Sequence, residues 1–142
     1  MDLRSAIDII IVVVLGLMSV MALAVVINRT LFIYRAEIAA YNSWEELERD
    51  LTRYMHLLAT IGANAPYIGL LGTVAGIMVT FSVLSIDGSD VSGVMKGLSS
   101  ALFATGFGLI VAIPSVFAYN ILLRNVKNKI VDWKAKYGRE RV

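Results

Sequence analysis

Three long segments of the chain contain no Asp, Glu, Lys or Arg and consist largely of apolar residues. They cover Ile9–Ile27, Ala63–Leu84 and Ser99–Leu123. At about 1.5 Å per helical residue the first spans roughly 28 Å and the last roughly 37 Å, against a bilayer hydrocarbon core of about 30 Å. A soluble helical bundle rarely needs three charge-free helices of this length. The pattern predicts three transmembrane helices, of which the third tilts or protrudes.

The composition agrees with a membrane protein and excludes several kinds of chemistry. Of the 142 residues, 58% are hydrophobic and 17% are charged, whereas about 25% of residues are charged in soluble domains. The chain has no Cys and one His, which excludes a thiolate nucleophile, a disulfide and a His-pair metal site within one copy. We therefore expect no enzyme, metal or cofactor, and the net charge of +2 gives no reason to expect nucleic acid.

The positions of the basic residues predict how the chain is oriented. Of the 13 basic residues, 11 lie in the segment 28–62 or in the tail 124–142, and only Arg4 and Lys96 lie elsewhere. Because Lys and Arg accumulate in cytoplasmic loops, both segments are expected in the cytoplasm and the N-terminus outside. The short Ser85–Asp90 stretch then joins the second and third spans as a tight antiparallel hairpin.

The cytoplasmic segments are predicted to be helical extensions of the spans, so that residues 1–142 form a single membrane domain. Ser43-Trp44-Glu45-Glu46 matches a capping box. Apolar residues follow it at helical spacing into the second span: Leu47, Leu51, Tyr54 and Leu58. A similar stripe among the basic residues of the tail consists of Val126, Ile130, Trp133 and Tyr137. We interpret both stripes as packing surfaces, and the basic tail as able to contact anionic lipid headgroups or an acidic partner.

Small residues predict close contact between the second and third spans. Gly69, Gly72 and Gly76 lie on the second span, and the last two form a small-xxx-small motif. On the third span, Gly108 shares a face with small residues seven positions away on either side. Pro114 removes an amide donor from this helix and predicts a kink there.

Hydroxyl groups within the spans are the candidate polar site. Thr73 and Thr80 share one face of the second span, and Thr105 lies near the middle of the third. A membrane threonine usually donates back to its own helix. The alternative is that several hydroxyls on one seam order water along a polar pathway.

Two stretches of the sequence resemble the ExbB/TolQ/MotA family of proton-driven motor subunits. The stretch from Asn64 to Met78, with the core Gly-Leu-Leu-Gly-Thr-Val-Ala-Gly, is similar to the family's second-span signature. Ser100 to Leu109, followed by Ala112-Ile113-Pro114 and Tyr119-Asn120, is similar to the third-span signature. Three spans favour the ExbB and TolQ branches over the four-span MotA branch, and the short chain looks more like ExbB.

The resemblance implies an all-α, homopentameric bundle in the inner membrane of a Gram-negative bacterium. The second and third helices would line a central pore around single helices of an ExbD-like partner, and proton flow would drive a TonB-like protein to open outer-membrane receptors. Thr73 and Thr105 match the threonines placed on the proton pathway. Many members carry a glutamate five residues before the third-span threonine, where this chain has Ser100, so that role is not carried over and Ser100 is a weaker candidate.

Two alternatives to this function remain open from the sequence. The chain could be a TolQ-like subunit of the Tol-Pal envelope system. It could also be a non-conducting scaffold that binds partner helices through its small-residue faces. Since a threonine hydroxyl does not ionise near neutral pH and the predicted spans contain no acid, the proton-carrying carboxylate is expected on a partner helix.

Overall fold

The computed structural model describes residues 3–87 and 91–138, and this part of the chain is helical without any strand. Its elements are α1 (Leu3–Arg35), a 3₁₀ turn (Ile38–Ala40), α2 (Trp44–Thr52), α3 (Met55–Asp87) and α4 (Val91–Tyr137). Helices α1, α3 and α4 are long and apolar enough to cross a membrane. The prediction of an all-α membrane protein is confirmed at this level.

The helices extend well beyond the charge-free segments that predicted them. Helix α4 has 47 residues, or about 70 Å of helix, so it continues through the basic tail. Helix α1 begins at Leu3, which places Asp8 inside the helix. Helix α3 continues to Asp87, and residues 88–90 of the predicted turn lie outside the described residues.

The predicted capping box forms only in part at the start of α2. Ser43 has an extended backbone conformation and its Oγ accepts from the amide of Glu46 at 3.2 Å. The Glu46 carboxylate accepts from the amide of Asn42 at 3.4 Å, one residue before the donor of the standard motif. The cap therefore starts α2 where the sequence predicted.

The predicted continuous helix from α2 into the second span is wrong at Tyr54. Its φ of 65° is left-handed, a conformation that costs a non-glycine residue about 1–2 kcal/mol and ends a right-handed helix. Leu47 and Leu51 are fully buried before the break, and Met55 and Leu58 are buried after it. The break exposes Tyr54, and Met55 takes the buried position that was predicted for Tyr54.

Helices α3 and α4 run antiparallel with their backbones in contact. A Cβ added to Gly69 would lie 2.6 Å from the carbonyl oxygen of Ala104, and one added to Gly108 would lie 2.6 Å from that of Ala65. Toward the other end of α3, a Cβ on Gly76 would lie 2.9 Å from the Cβ of Ala101. Only glycine permits this approach, because a side-chain atom would overlap the facing helix.

Hydrogen bonds from buried or half-buried side chains join α1 and the following loop to α2 and α4, at the end of the molecule that we call the basic end (residues 28–62 and 124–138). The Arg29 side chain is 6% exposed and donates to the Asp50 carbonyl at 2.9 Å. Lys129 Nζ donates to the Ala36 carbonyl at 2.7 Å, and Trp133 Nε1 donates to the Tyr41 carbonyl at 3.3 Å.

The apolar stripe of the tail packs inside this end, as its spacing predicted. Val126 and Trp133 are buried, and Ile130 and Tyr137 pack against the same cluster. This contact keeps α4 helical beyond the apolar span.

The Tyr41 hydroxyl lies beside acidic groups at the basic end. Burial raises the pKa of Tyr41, and the charge and hydrogen bond of Asp50 and the charge of Glu46 raise it further. A raised pKa in the folded state means that the neutral hydroxyl stabilises the fold at lower pH. This contribution is lost only as the pH rises through the folded-state value, above the ordinary value of about 10.

We expect Gly108→Ala to destabilise the protein and Gly106→Ala to leave it as stable or to stabilise it by up to about 1 kcal/mol, because alanine favours a helix over glycine. The first substitution places a methyl group against the α3 backbone, which overpacks the contact and costs about 1–3 kcal/mol. The second glycine is in the same helix and has nothing within 4 Å of an added Cβ. Thermal unfolding followed by tryptophan fluorescence in detergent compares the two. Equal midpoints would contradict the close α3–α4 contact.

Candidate functional site

The hydroxyls of Thr73 and Thr105 meet across the contact between α3 and α4. Their Oγ1 atoms are 2.5 Å apart. Thr73 is 7% exposed and Thr105 is half-buried. The two threonines can meet because Gly69 and Gly108 bring the helix axes close enough for short side chains to span the gap. The two hydroxyls singled out by the family resemblance therefore form one pair.

The pair continues into a backbone carbonyl of α4. Thr73 Oγ1 lies 3.1 Å from the carbonyl oxygen of Ala101 and 3.3 Å from that of Gly69. Because each hydroxyl has one proton and two lone pairs, Thr105 can donate to Thr73 while Thr73 donates to Ala101. The pair is thus a short hydrogen-bonded chain with unused acceptor capacity on Thr105.

Both hydroxyls find partners within one copy, so hydrogen bonding alone does not require neighbouring copies to shield them from lipid. The half-buried side chain of Thr105 is the part of the pair open to water or to a neighbouring helix.

The other two candidate residues of the polar pathway lie elsewhere. Thr80 is buried and its hydroxyl donates to the Gly76 carbonyl of its own helix at 2.8 Å. This is the usual local bond of a membrane threonine. Ser100 is exposed on a different face of α4 from Thr105. The structure therefore brings together two of the four predicted hydroxyls.

Ser100 lines the same cleft as Asp8, the acidic residue immediately before the first charge-free segment. A cleft of about 280 Å³ between α1 and α4 is lined by Asp8, Ile11, Val12, Ser100, Phe103, Ala104 and Phe107. The candidate spanning helix starts at Ser5 and contains Asp8. Asp8 lies one residue before the charge-free run of α1, so the prediction that the charge-free spans contain no carboxylate stays a prediction.

The residues predicted for helix packing lie along two contacts. Gly69, Gly72, Gly76 and Gly108 face small residues or backbone between α3 and α4, and Gly72 also approaches Ile11 of α1. Pro114 is exposed, and α4 remains helical through it. The kink at Pro114 remains a prediction.

Sequence reasoning missed the roles of Arg29 and Lys129, which it used only to orient the chain. Arg29 is buried, with its guanidinium 4.7 Å from the centre of the Phe32 ring. Its position two residues after the apolar run was the available signal. Lys129 fixes the loop after α1 through a carbonyl 93 residues away, a contact for which local sequence carries no signal.

Within residues 3–87 and 91–138, no three His, Asp or Glu side chains lie close enough together to bind a metal ion. The Thr73–Thr105 pair offers hydrogen bonding by hydroxyls. A hydroxyl chain can pass hydrogen bonds along but does not hold a charge near neutral pH.

Comparison with known proteins gives this membrane bundle its class. The model of the MotA/TolQ/ExbB proton channel family matches residues 33–135, which include both threonines of the pair. The chain belongs to this family, which confirms the resemblance of the two span signatures.

Individual relatives extend the match to almost the whole chain. A protein named biopolymer transport protein ExbB from Aquifex aeolicus is 44% identical over 138 residues, covering 96% of this chain and 93% of the relative. An ExbB of Helicobacter pylori is 46% identical over 86% of this chain and 85% of its own length. The Tol-Pal system protein TolQ of Pseudomonas aeruginosa is 45% identical over 51% of this chain and 32% of its own length.

A double-mutant cycle tests the threonine pair. We expect Thr73→Val and Thr105→Val to be coupled by about 1 kcal/mol in unfolding free energy, because either change removes the shared hydrogen bond. Thr80→Val combined with Thr105→Val is the control and should be additive, since the Thr80 hydroxyl bonds within its own helix. Additive effects for the first pair, measured by detergent unfolding, would mean that the hydroxyls do not interact.

Proposed function

We propose that the chain is the ExbB-like subunit of a TonB-type system in the inner membrane of a Gram-negative bacterium. It uses the proton-motive force with an ExbD-like, single-span partner to energise a TonB-like protein and outer-membrane import. The basic end faces the cytoplasm and the N-terminus faces the periplasm, in keeping with the distribution of Lys and Arg. The Thr73–Thr105 pair is the single observation that supports proton handling most directly.

In this proposal the functional unit is a closed homopentamer. The α3 and α4 surfaces beside the threonine pair are strongly apolar and exposed in one copy, as Leu70, Val74, Leu102 and Ile113 illustrate. Neighbouring copies and the partner helix would cover them, with α3 and α4 around the central pore. Close packing of α3 against α4 would make each copy a rigid segment of the pore wall.

The proton-loading group comes from the partner in this mechanism. Thr105 has a half-buried hydroxyl with spare acceptor capacity, so it can hydrogen-bond a partner carboxylic acid or a pore water. Moving a unit charge through 100 mV releases about 2.3 kcal/mol. To use this energy, the complex needs a group that gains and loses a proton within the field. Neither threonine of the pair is such a group.

Two other functions have specific support. A TolQ-like role in the Tol-Pal system is favoured by the 45% identity to a TolQ over 74 residues. A non-conducting scaffold is favoured by Ser100 in place of the family glutamate and by hydroxyls that find partners within one copy. Transport measurements on defined variants separate these functions.

Thr105→Val should abolish energy-dependent uptake while leaving the pentamer intact by native mass spectrometry. The substitution keeps the side-chain shape and removes the hydroxyl. Ser100→Ala should be milder, because this position already lacks the acid of relatives, and Thr80→Val is the matched control with near-normal uptake. Normal uptake by the Thr105 variant would remove it from the proton pathway. Monomers alone at every concentration would refute the oligomer.

Proton flux in liposomes tests the source of the carboxylate. We expect little flux through the chain alone, flux with the ExbD-like partner, and loss of flux when the partner's membrane acid is changed to Asn. Because Asp8 lies within a candidate span, Asp8→Asn belongs in the same series and should leave flux through the complex intact. Strong flux through the chain alone, or undiminished flux with the partner Asn variant, would contradict the mechanism.

A further inference from the structure

Three clefts follow one another along the seam between α1 and α4. The first contains Asp8 and Ser100, as described above. The middle cleft, of about 250 Å³, is lined by Ser19, Ala22, Leu23, Val26, Ile110, Val111, Pro114, Ser115 and Ala118. The third, of about 370 Å³ at the basic end, is lined by Ile33, Tyr34, Asn125, Asn128, Lys129 and Asp132.

The α4 residues of these clefts recur at intervals of three, four and seven, from Ser100 to Asp132. Such spacing places them on one face of the helix. The α1 residues progress in the same direction, from Asp8 to Tyr34. We call these three clefts together the seam groove.

The middle part of the seam groove suits hydrocarbon. Leu23, Val26, Ile110 and Val111 supply most of its wall. The Ser115 hydroxyl donates to its own helix, to the Val111 carbonyl at 2.7 Å, and so does not need a polar ligand. This cleft lies within the charge-free run of α4, at hydrocarbon depth.

The basic-end part of the seam groove is polar and carries opposite charges one helical turn apart. The Lys129 ammonium is held in place by the Ala36 carbonyl and keeps two further N–H donors. Asp132 is an exposed carboxylate three residues further along α4. Asn125 and Asn128 add carboxamide donors and acceptors on the same wall.

The depth of this polar cleft matches the headgroup layer of a bilayer. The charge-free run of α4 ends at Leu123, so Asn125 and Asn128 lie about 3 and 8 Å beyond it along the helix. Headgroups occupy roughly 5–8 Å on each side of the hydrocarbon core. Asn125 is seven residues, or about 10 Å, from Ala118 of the middle cleft.

We propose that the seam groove binds one phospholipid whose headgroup combines a phosphate with a primary ammonium, as in phosphatidylethanolamine. The phosphate accepts from Lys129 and the asparagine carboxamides, the ammonium donates to Asp132, and an acyl chain lies in the middle cleft. A soluble phosphoethanolamine would use only the polar cleft, whereas the apolar middle cleft about 10 Å away along α4 favours the lipid.

Headgroup chemistry makes the proposal selective. A trimethylated ammonium has no N–H to donate to Asp132, and a glycerol headgroup offers no cation to that carboxylate. Charge-assisted hydrogen bonds to Asp132 should therefore favour phosphatidylethanolamine about tenfold over phosphatidylcholine and phosphatidylglycerol of the same acyl chains.

Native mass spectrometry of the delipidated full-length protein, titrated with each of the three lipids in mixed micelles, tests this preference. Asp132→Asn should remove the preference for phosphatidylethanolamine over phosphatidylcholine. Lys127 is an exposed basic residue of the same helix that does not line the groove. Lys127→Gln is therefore the control and should retain the preference for phosphatidylethanolamine. Ala118→Phe should fill the middle cleft and weaken all three lipids equally.

Several results would overturn the proposal. Equal binding of the three lipids by the unaltered protein would contradict the proposed headgroup site. Tight binding of soluble phosphoethanolamine alone would contradict the proposed acyl-chain site. Dissociation of the oligomer by Ala118→Phe in the same mass spectra would show that a second copy fills the groove. Because the readout is lipid mass and not proton transport, it is independent of the proposed function.

Discussion

The backbone contact between α3 and α4 is the constraint on which the candidate site depends. Gly69 and Gly108 face each other so closely that a Cβ on either would overlap a carbonyl oxygen of the opposite helix. Two threonine side chains are short, and their hydroxyls reach 2.5 Å only because the helices approach this far. Van der Waals contact of small residues is also the main source of helix association in lipid, where apolar burial offers little driving force.

The basic end depends on a different kind of interaction. Here side chains with polar heads donate to backbone carbonyls that helix ends and loops leave unsatisfied, as Arg29, Lys129 and Trp133 do. The left-handed Tyr54 belongs to the same region, and the Arg29 guanidinium lies 5.7 Å from its ring centre. These bonds connect α1 to α2 and α4 outside the apolar spans, so the two ends of the molecule are stabilised by different forces.

The position of Asp8 bears on where a transferable proton could be held. Ser100 of α4 and Asp8 of α1 line the same cleft. The cleft lies on another face of α4 from Thr105, so Asp8 is separate from the threonine pair. In the proposed mechanism a partner carboxylate next to Thr105 supplies the transferable proton, and Asp8 is a polar feature of the seam groove.

The sequence by itself determined the all-helical class, the three long apolar helices and the family, because charge-free length and a two-span signature are local properties. It also marked Thr73 and Thr105. Only the tertiary structure decided that these two hydroxyls pair while Thr80 bonds to its own helix, since that depends on the rotation and separation of α3 and α4. The break at Tyr54, the burial of Arg29 and the seam groove likewise arise from contacts between distant residues, which periodicity along one helix does not encode.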